Sequence, residues 1–494
     1  MSHHVEPDAV GYPPVASGRT LWAWCTYCAG FLLFAVVLTS LSREFGGDRD
    51  VGDMPIVAVV GLLVVAGLGF AVLLPGLIRR SEKSILGSRI LLLVVMSGLA
   101  ARLICMTSEP VLENDYYRYL WDGAVVAAGY NPYEHSPRDI IRDGETGPLG
   151  RLANEGEETL SRIGHKSLTT IYPPFVQLLF AVANVIQPWS LVAWRSVLLV
   201  LDVVSLFLLI KLLDLTGRSR VWAALYWLNP LVLKEGFNSA HMEPALIPLV
   251  LGAMFLAATA RNTASTVVLA LAAGIKLWPA ALAPLIWRPL VGSPFILALN
   301  AIVFSSLMVF WVAPLLLSAP LESAGLKAYA EGWSTNSALS PALEKSIKWL
   351  LTVASIDTVE ANVLARFLVT GVLCGLALLL AMREWRSLDD LIRRVSVFVM
   401  ALVLLSPAQY PWYALWLAPL LVFWPHRAFL FLSATLPLYY LSFHFAARDA
   451  HDVFTSVVVW VIWCPVWMMI AYGILMDRLP AGIENRRVKN AMRV

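Results

Sequence analysis

The chain has 494 residues, of which 59% are hydrophobic and 14% are charged. Ordinary soluble domains carry about 25% charged residues, so this composition excludes a typical soluble enzyme. The 37 basic residues nearly balance the 34 acidic ones, which gives no indication of nucleic-acid binding.

Apolar segments recur along the whole chain, and most are long enough to cross a bilayer. The pattern predicts an all-α polytopic membrane protein, a bundle of about 12 to 14 transmembrane helices. We expect a polar N-terminal tail at 1–19, a single transmembrane domain at 20–480 and a cytoplasmic basic tail at 481–494. The predicted spans lie near 20–41, 55–78, 85–106, 172–187, 192–213, 221–235, 244–260, 265–286, 294–317, 362–382, 393–406, 411–425, 428–445 and 454–476.

Two long polar segments, 107–170 and 318–347, interrupt this pattern. Loops longer than about 12 to 15 residues are usually either functional or disordered. Both segments contain tryptophan, tyrosine and proline. We therefore expect both to be ordered and functional, and we expect the first to carry juxtamembrane helices.

Basic residues in short loops indicate the orientation of the spans. The turn with Arg79, Arg80 and Lys83 is predicted to be cytoplasmic, which places the segment 107–170 on the outer side. If 172–187 and 192–213 each cross once, however, the basic turn at 211–220 falls outside. Either one of these segments does not span the membrane or the charge rule fails here, and the sequence leaves both alternatives open.

Acidic residues are concentrated just after the third apolar segment. Glu113 and Asp115 are two residues apart and would share one side of an extended chain. Asp115, Arg118 and Asp122 recur at helical spacing, which predicts a juxtamembrane helix from Asp115 to about 128. A carboxylate at a helix N-terminus is stabilised by backbone N–H groups, so Asp115 is either a helix cap or a site residue. The neighbouring acids and Arg118 favour a site.

Aromatic residues mark the start of two later segments. Tyr172 precedes two prolines, which is consistent with the first turn of a helix as well as with a site. Trp412 and Tyr413 lie in an aromatic-rich stretch that is equally typical of an interfacial belt. These residues are candidates only in combination with others.

Charged residues at the ends of later segments are further candidates. Lys234, Glu235, His241 and Glu243 lie at one rim, where they either pair with one another or contact substrate, and His-x-Glu alone is a weak metal signature. Lys276 interrupts an apolar run. Such a lysine indicates a functional contact or a side chain that extends to the membrane surface.

These motifs, in this order, resemble the GT-C superfamily of multispanning glycosyltransferases. The resemblance is to bacterial polyprenyl-phosphomannose-dependent mannosyltransferases and to the mannosyltransferase subunit of glycolipid-anchor synthesis. It covers most of the chain from about 107 to 425. The matching motifs are Glu113-Asn114-Asp115-Tyr116, Asp122-Gly123, Asn131-Pro132-Tyr133, Tyr172-Pro173-Pro174, Asn229-Pro230, His241-x-Glu243, Lys276 with Pro279, Trp333 with Asn336, and Pro411-Trp412-Tyr413.

The resemblance implies an inverting hexosyltransferase in the bacterial cytoplasmic membrane. It would move a sugar, expected to be mannose, from a polyprenyl-phosphate donor to a glycan or glycolipid acceptor of the cell envelope at the outer face. Asp115 and Glu113 would be catalytic, with Asp115 as the general base. The implied donor- or acceptor-binding residues are Arg118, Asp122, Tyr172, Lys234, His241, Glu243, Lys276, Trp333, Asn336, Trp412 and Tyr413.

The chain departs from the family pattern at Glu113, where the eukaryotic enzymes have aspartate. This departure leaves metal use and the acceptor open: no cofactor is assigned, and a divalent metal stays an alternative. A lipid-linked sugar flippase, a polymerase and a secondary transporter are the competing functions. A transporter usually shows internal repeats and mid-span polar residues, whereas the acids here cluster in a loop.

Overall fold

The computed structural model describes residues 17–478 except 48, 83, 85, 319–323, 357 and 359. The predicted tail 1–19 lies outside these residues except for 17–19, and the tail 481–494 lies outside them entirely. The described chain is helical, which confirms the all-α prediction, and its isolated β-bridge joins Thr335 and Ala408. The α-helices are α1 (Ser17–Ser42), α2 (Ile56–Ser81), α3 (Gly87–Cys105), α4 (Asp115–Ala127), α5 (Pro137–Asp143), α6 (Gly150–Glu155), α7 (Glu157–Arg162), α8 (Pro174–Ile186), α9 (Leu191–Leu215), α10 (Ala224–Trp227), α11 (Pro230–Val232), α12 (Glu243–Ala258), α13 (Asn262–Ala273), α14 (Ala283–Trp287), α15 (Pro294–Leu317), α16 (Gly325–Gly332), α17 (Leu339–Val353), α18 (Ala361–Ala381), α19 (Leu388–Leu405), α20 (Arg427–Thr435), α21 (Leu441–Ala446), α22 (His451–Val453) and α23 (Val459–Arg478).

Within the described residues, 8 helical segments are long and apolar enough to cross a membrane, so the protein is a multi-pass membrane protein. They are Gly18–Phe45, Ile56–Ser81, Gly87–Cys105, Leu191–Leu215, Pro294–Leu317, Ala361–Ala381, Arg427–Ala446 and His451–Met476. A further candidate is the pair Pro230–Asn238 and Glu243–Ala258, which is bent by 119°.

Most of the remaining predicted spans are shorter or broken, whereas the span predicted at 393–406 forms the continuous helix α19. The segment predicted at 411–425 forms 3₁₀ turns at Pro411–Trp416 and Leu420–Val422, and the segment at 265–286 changes from α13 to a 3₁₀ turn at Trp278–Leu282. Proline lacks the backbone N–H that a continuous helix needs, and each of these breaks contains or adjoins one. Apolar composition therefore predicted these segments, but their proline residues divide them.

Hydrogen bonds between helix ends define two ends of the bundle. Trp24 near the start of α1 donates to Ser81 at the end of α2 at 2.8 Å. Trp222, which follows α9, donates to Glu82 at 2.5 Å. These contacts place the start of α1, the end of α2 and the end of α9 together. We call this the basic end, and it carries Arg79, Arg80, Arg218, Arg220, Arg288, Arg383, Arg386, Arg393 and Arg394.

The opposite end, called the site end below, holds the long polar segments. The backbone N–H of Glu109 donates to Ser42 at the end of α1 at 3.0 Å. The two polar segments also contact each other there, since the rings of His165 and Trp333 lie 4.8 Å apart.

The helix α8 starts and ends at the site end. Arg195, near the start of α9, donates to the carbonyls of Met106 and Ser108 just beyond α3, so α9 begins where α3 ends. The 13 residues of α8 extend about 20 Å, which is less than the hydrocarbon thickness of about 30 Å. The segment 172–187 is thus the one that does not span, and the basic turn at 211–220 lies at the basic end in agreement with the charge rule.

The segment 107–170 is ordered, as predicted, and has its own small core. Trp121 and Val125 of α4 pack with Ile140, Leu149 and other apolar residues of α5 to α7. The helix α4 also packs closely along α8. A Cβ atom on Gly123 would lie 2.4 Å from the backbone oxygen of Phe180. This contact fixes α4, which begins at Asp115, against the transmembrane bundle.

Candidate active site

A cavity of about 780 Å³ lies at the site end, between the polar segment after α3 and the broken segments of the bundle. Its wall is formed by the connection between α1 and α2, the start of α4, the chain before α8, and the ends of α13 and α19. Seven of the predicted site residues line it. These are Glu113, Asp115, Tyr172, Lys276, Trp333, Trp412 and Tyr413.

Asp115 is the first residue of α4, which runs from Asp115 to Ala127 as the spacing predicted. The residue at the N-cap is Asn114, and its side chain makes no capping hydrogen bond. The Asp115 side chain is 40% exposed, and it lines the cavity. The position gives the carboxylate access to a bound molecule.

The surroundings of Asp115 hold its pKa near the range in which a general base works. Burial, and to a smaller extent the charge of Glu243, raise the pKa of Asp115 to about 6, against the opposing effect of Lys276 and Arg118. At neutral pH the carboxylate is ionised and able to accept a proton, with a pKa close to the optimum for proton transfer.

His241 is completely buried and is surrounded by three carboxylates and one lysine. We call these five residues the acid cluster: Glu113, Asp115, Lys234, Glu235 and His241. The Nε2 atom of His241 lies 3.7 Å from Glu113 and 3.8 Å from Glu235, and its Nδ1 atom lies 3.8 Å from Asp115. Lys234 Nζ lies 3.4 Å from Glu235. Burial raises the pKa of Glu113 well above its usual value, more than Lys234 lowers it.

Lys276 is held by a carboxylate and by aromatic rings. Its ammonium group is 2.5 Å from Glu243 and lies over the rings of Tyr413 and Trp416, at 4.3 and 4.9 Å. Its ammonium group thus contacts protein groups, and the residue lines the cavity. The pair keeps a positive charge in the cavity wall.

Six predicted residues lie outside the cavity wall. Arg118 donates to the carbonyl of Leu168 at 2.5 Å, so it joins α4 to the chain before α8. Asp122 is buried and accepts a hydrogen bond from Gln177 of α8 at 3.0 Å. Asn336 donates to the carbonyl of Gln409 at 2.9 Å. The other three, Lys234, His241 and Glu243, lie behind the wall in or beside the acid cluster.

Two residues of this region were missed as site residues. The hydroxyl of Tyr440 lies 2.9 Å from Glu113 and 3.0 Å from Glu235, and it also contacts Lys234. Glu235 was noted beside Lys234 but was not assigned to the site. A buried tyrosine hydroxyl usually has a partner, so a tyrosine in the apolar segment 428–445 was the available signal.

The chain is similar in sequence to known mannopyranosyltransferases over about half of its length. Residues 54–292 match a family model described as alpha-(1->6)-mannopyranosyltransferase, N-terminal domain. The chain is 28% identical over 344 residues to alpha-(1->6)-mannopyranosyltransferase A of Mycobacterium tuberculosis (strain ATCC 25618 / H37Rv), an alignment that covers 63% of this chain. The chain spans 61% of the length of that relative. No solved structure matches the chain.

Proposed function

Because residues 54–292 match the model of the alpha-(1->6)-mannopyranosyltransferase family, we propose that the protein transfers mannose from a polyprenyl-phosphate donor to an acceptor hydroxyl at the outer face of the membrane. The observation that carries this proposal is the position of Asp115. Its carboxylate opens into the cavity, has a pKa of about 6, and lies at the end of the bundle that a membrane-anchored donor can reach.

The acceptor hydroxyl loses its proton to Asp115 as its oxygen attacks the anomeric carbon of mannose. The bond between that carbon and the donor phosphate breaks, and the leaving phosphate retains the electron pair. Since the leaving group is already an anion, it needs fixed positive charge rather than a proton. Lys276 is the lysine in the cavity wall, and we assign it to the donor phosphate.

A single displacement of this kind inverts the anomeric configuration. A product with the α-linkage named in the relative therefore requires a β-linked donor. The (1->6) linkage in the same name indicates a 6-hydroxyl as the accepting group, and we propose a mannoside as the acceptor. The apolar part of the cavity, at Phe45, Met54 and Phe443, suits the hydrocarbon chain next to the donor phosphate.

The charge distribution supports the outer location. Basic residues in and beside short turns stay on the cytoplasmic side, and the arginines of the basic end lie in such turns or in the adjoining ends of α2 and α19. The cavity is at the other end. The confinement of its lining residues to that end also disfavours a transporter, which needs a path between both sides of the membrane.

The test is transfer by the purified protein in detergent or liposomes, with radiolabelled polyprenyl-phosphate mannose, the glucose analogue as a control, and a short α-mannoside acceptor. We expect transfer of mannose alone, with an α-(1->6) linkage identified by NMR. A folded protein that uses neither donor would overturn the proposal. Movement of the intact donor across the liposome bilayer without transfer would instead indicate a flippase.

A further inference from the structure

His241 lacks the hydrogen bonds that a buried imidazole needs. Its side chain is completely buried, and neither ring nitrogen has a hydrogen-bond partner among the described residues. Its ring stacks on Trp412 with centroids 3.9 Å apart, which fixes the plane in which both nitrogens point. An unpaired buried polar group costs about 1–3 kcal/mol, so the site calls for a group that binds the imidazole.

The atoms around Nε2 are the right kind and at the right spacing for one ion. The ligand atoms of His241, Glu113 and Glu235 all lie within 4.8 Å of one another. Bonds of about 2.0–2.2 Å to a shared ion separate neighbouring ligand atoms by roughly 3–3.6 Å, close to the 3.7 and 3.8 Å found here. A small contraction of the three side chains would complete such a site.

The charge of the fully ionised acid cluster also favours a cation. With His241 neutral, the carboxylates of Glu113, Asp115 and Glu235 face the ammonium group of Lys234. The ionised cluster therefore has two negative charges in excess. Arg118 offsets at most one of them, and Lys276 is already paired with Glu243. Buried charge without compensation is costly, and a divalent cation would supply it.

Neighbouring side chains hydrogen-bond to or face His241, Glu113 and Glu235, as is usual for metal-binding residues. Tyr440 donates to Glu113, and Lys234 to Glu235, while Nδ1 of His241 faces Asp115 at 3.8 Å. A metal-bound histidine commonly directs its second nitrogen at a carboxylate. The geometry points to a divalent-cation site formed by Nε2 of His241 and one carboxylate oxygen each of Glu113 and Glu235. Mixed nitrogen and carboxylate ligands suit Zn²⁺ or Mn²⁺.

This site does not depend on the proposed transfer reaction, and its test measures the ion directly. The full chain is purified, treated with a chelator, and reloaded with Zn²⁺ or Mn²⁺ separately. We expect about one ion per chain after desalting, and a higher thermal unfolding midpoint because the ion binds the folded state only. Coupling of bound Mn²⁺ to ¹⁴N in pulsed electron paramagnetic resonance would report the imidazole ligand.

Variants identify the ligands. Glu235→Gln keeps the size of the side chain and should weaken binding at least about 10-fold, since the loss of even an outer partner has that effect. His241→Gln should also remove the ¹⁴N signal. If the His241→Gln variant does not fold, the comparison of Glu235→Gln with the wild type tests the metal site. Glu109→Gln, a carboxylate of the same cavity outside the cluster, should bind normally.

Two results would overturn the inference. One is a folded wild-type protein that retains no ion and shows no thermal shift with either metal, which would assign the space beside His241 to water or protonated carboxylates. The other is equal binding by the wild type, Glu235→Gln and His241→Gln. Mannose transfer by a wild-type protein that retains no ion would leave the proposed function intact, so failure of the metal site is distinguishable from failure of the proposed function.

Discussion

The pair formed by Lys276 and Glu243 allows a test that separates binding of the donor from stability of the protein. Lys276→Met removes an ammonium group that lies 2.5 Å from Glu243. Glu243 is 1% exposed, and its second oxygen has no partner among the described residues. Breaking a buried pair from one side costs about 3–5 kcal/mol, so the single variant should unfold at a clearly lower temperature.

The double variant Lys276→Met/Glu243→Gln removes both charges and should recover most of this stability, because the replacement of a whole buried pair is often neutral. Its activity should not recover. A charged hydrogen bond to the donor phosphate contributes about 1.5–3 kcal/mol, which corresponds to roughly a 10- to 150-fold higher KM for the donor. The measurements are thermal unfolding and donor titration of all variants, with the exposed Lys211→Met as the matched control.

The double variant decides between two roles of Lys276. If its only role is to neutralise Glu243, the double variant should have wild-type kinetics, and the assignment to the donor phosphate would be refuted. If Lys276→Met alone is as stable as the wild type, the two groups are not a buried pair, and the stability argument is wrong as well.

Three further predictions follow from the site and the fold. Asp115→Asn should fold normally while turnover falls about 10²-fold or more; an active variant would exclude Asp115 as the base. In a background without the exposed native cysteines, Arg151→Cys should react with an impermeant maleimide added outside intact cells and Arg80→Cys only after lysis; the reverse pattern would invert the topology. Gly123→Ala should destabilise the protein by about 1–3 kcal/mol because it forces α4 away from α8, whereas Gly69→Ala, in open space on α2, should not, and equal unfolding midpoints would show that this close contact is not maintained.

The local sequence pattern was enough to predict helix α4. The spacing of Asp115, Arg118 and Asp122 predicted it, because residues three, four and seven apart lie on one face of a helix. The same pattern did not reveal that Asp122 turns toward α8 while Asp115 opens into the cavity. Which face of α4 meets which neighbour depends on packing partners such as Gln177, which the period does not identify.

The acid cluster could not be predicted as a unit. Tyr440 contacts Glu113 across 327 positions of sequence, and one sequence carries no direct signal of contacts at that distance. Hydropathy likewise predicted the segment 411–425 but not its 3₁₀ turns, because hydropathy reports composition rather than backbone geometry. The sequence also left open whether 172–187 spans, because the deciding observation is the contact of Arg195 with the end of α3, which is distant in sequence.

The shortness of α8 has a consequence for biogenesis. Asp115 precedes α8 in the chain, whereas His241 and Lys276 follow it, so the two halves of the site face each other only if α8 adds no crossing. Its 13 residues are about one turn shorter than the shortest transmembrane helix. An insertion of one or two apolar turns would create an extra crossing during translocation and reverse the parity of every later span. Asp115 would then be delivered to one side of the membrane and Lys276 to the other, so the length of α8 is as much a requirement of the site as any residue in the cavity.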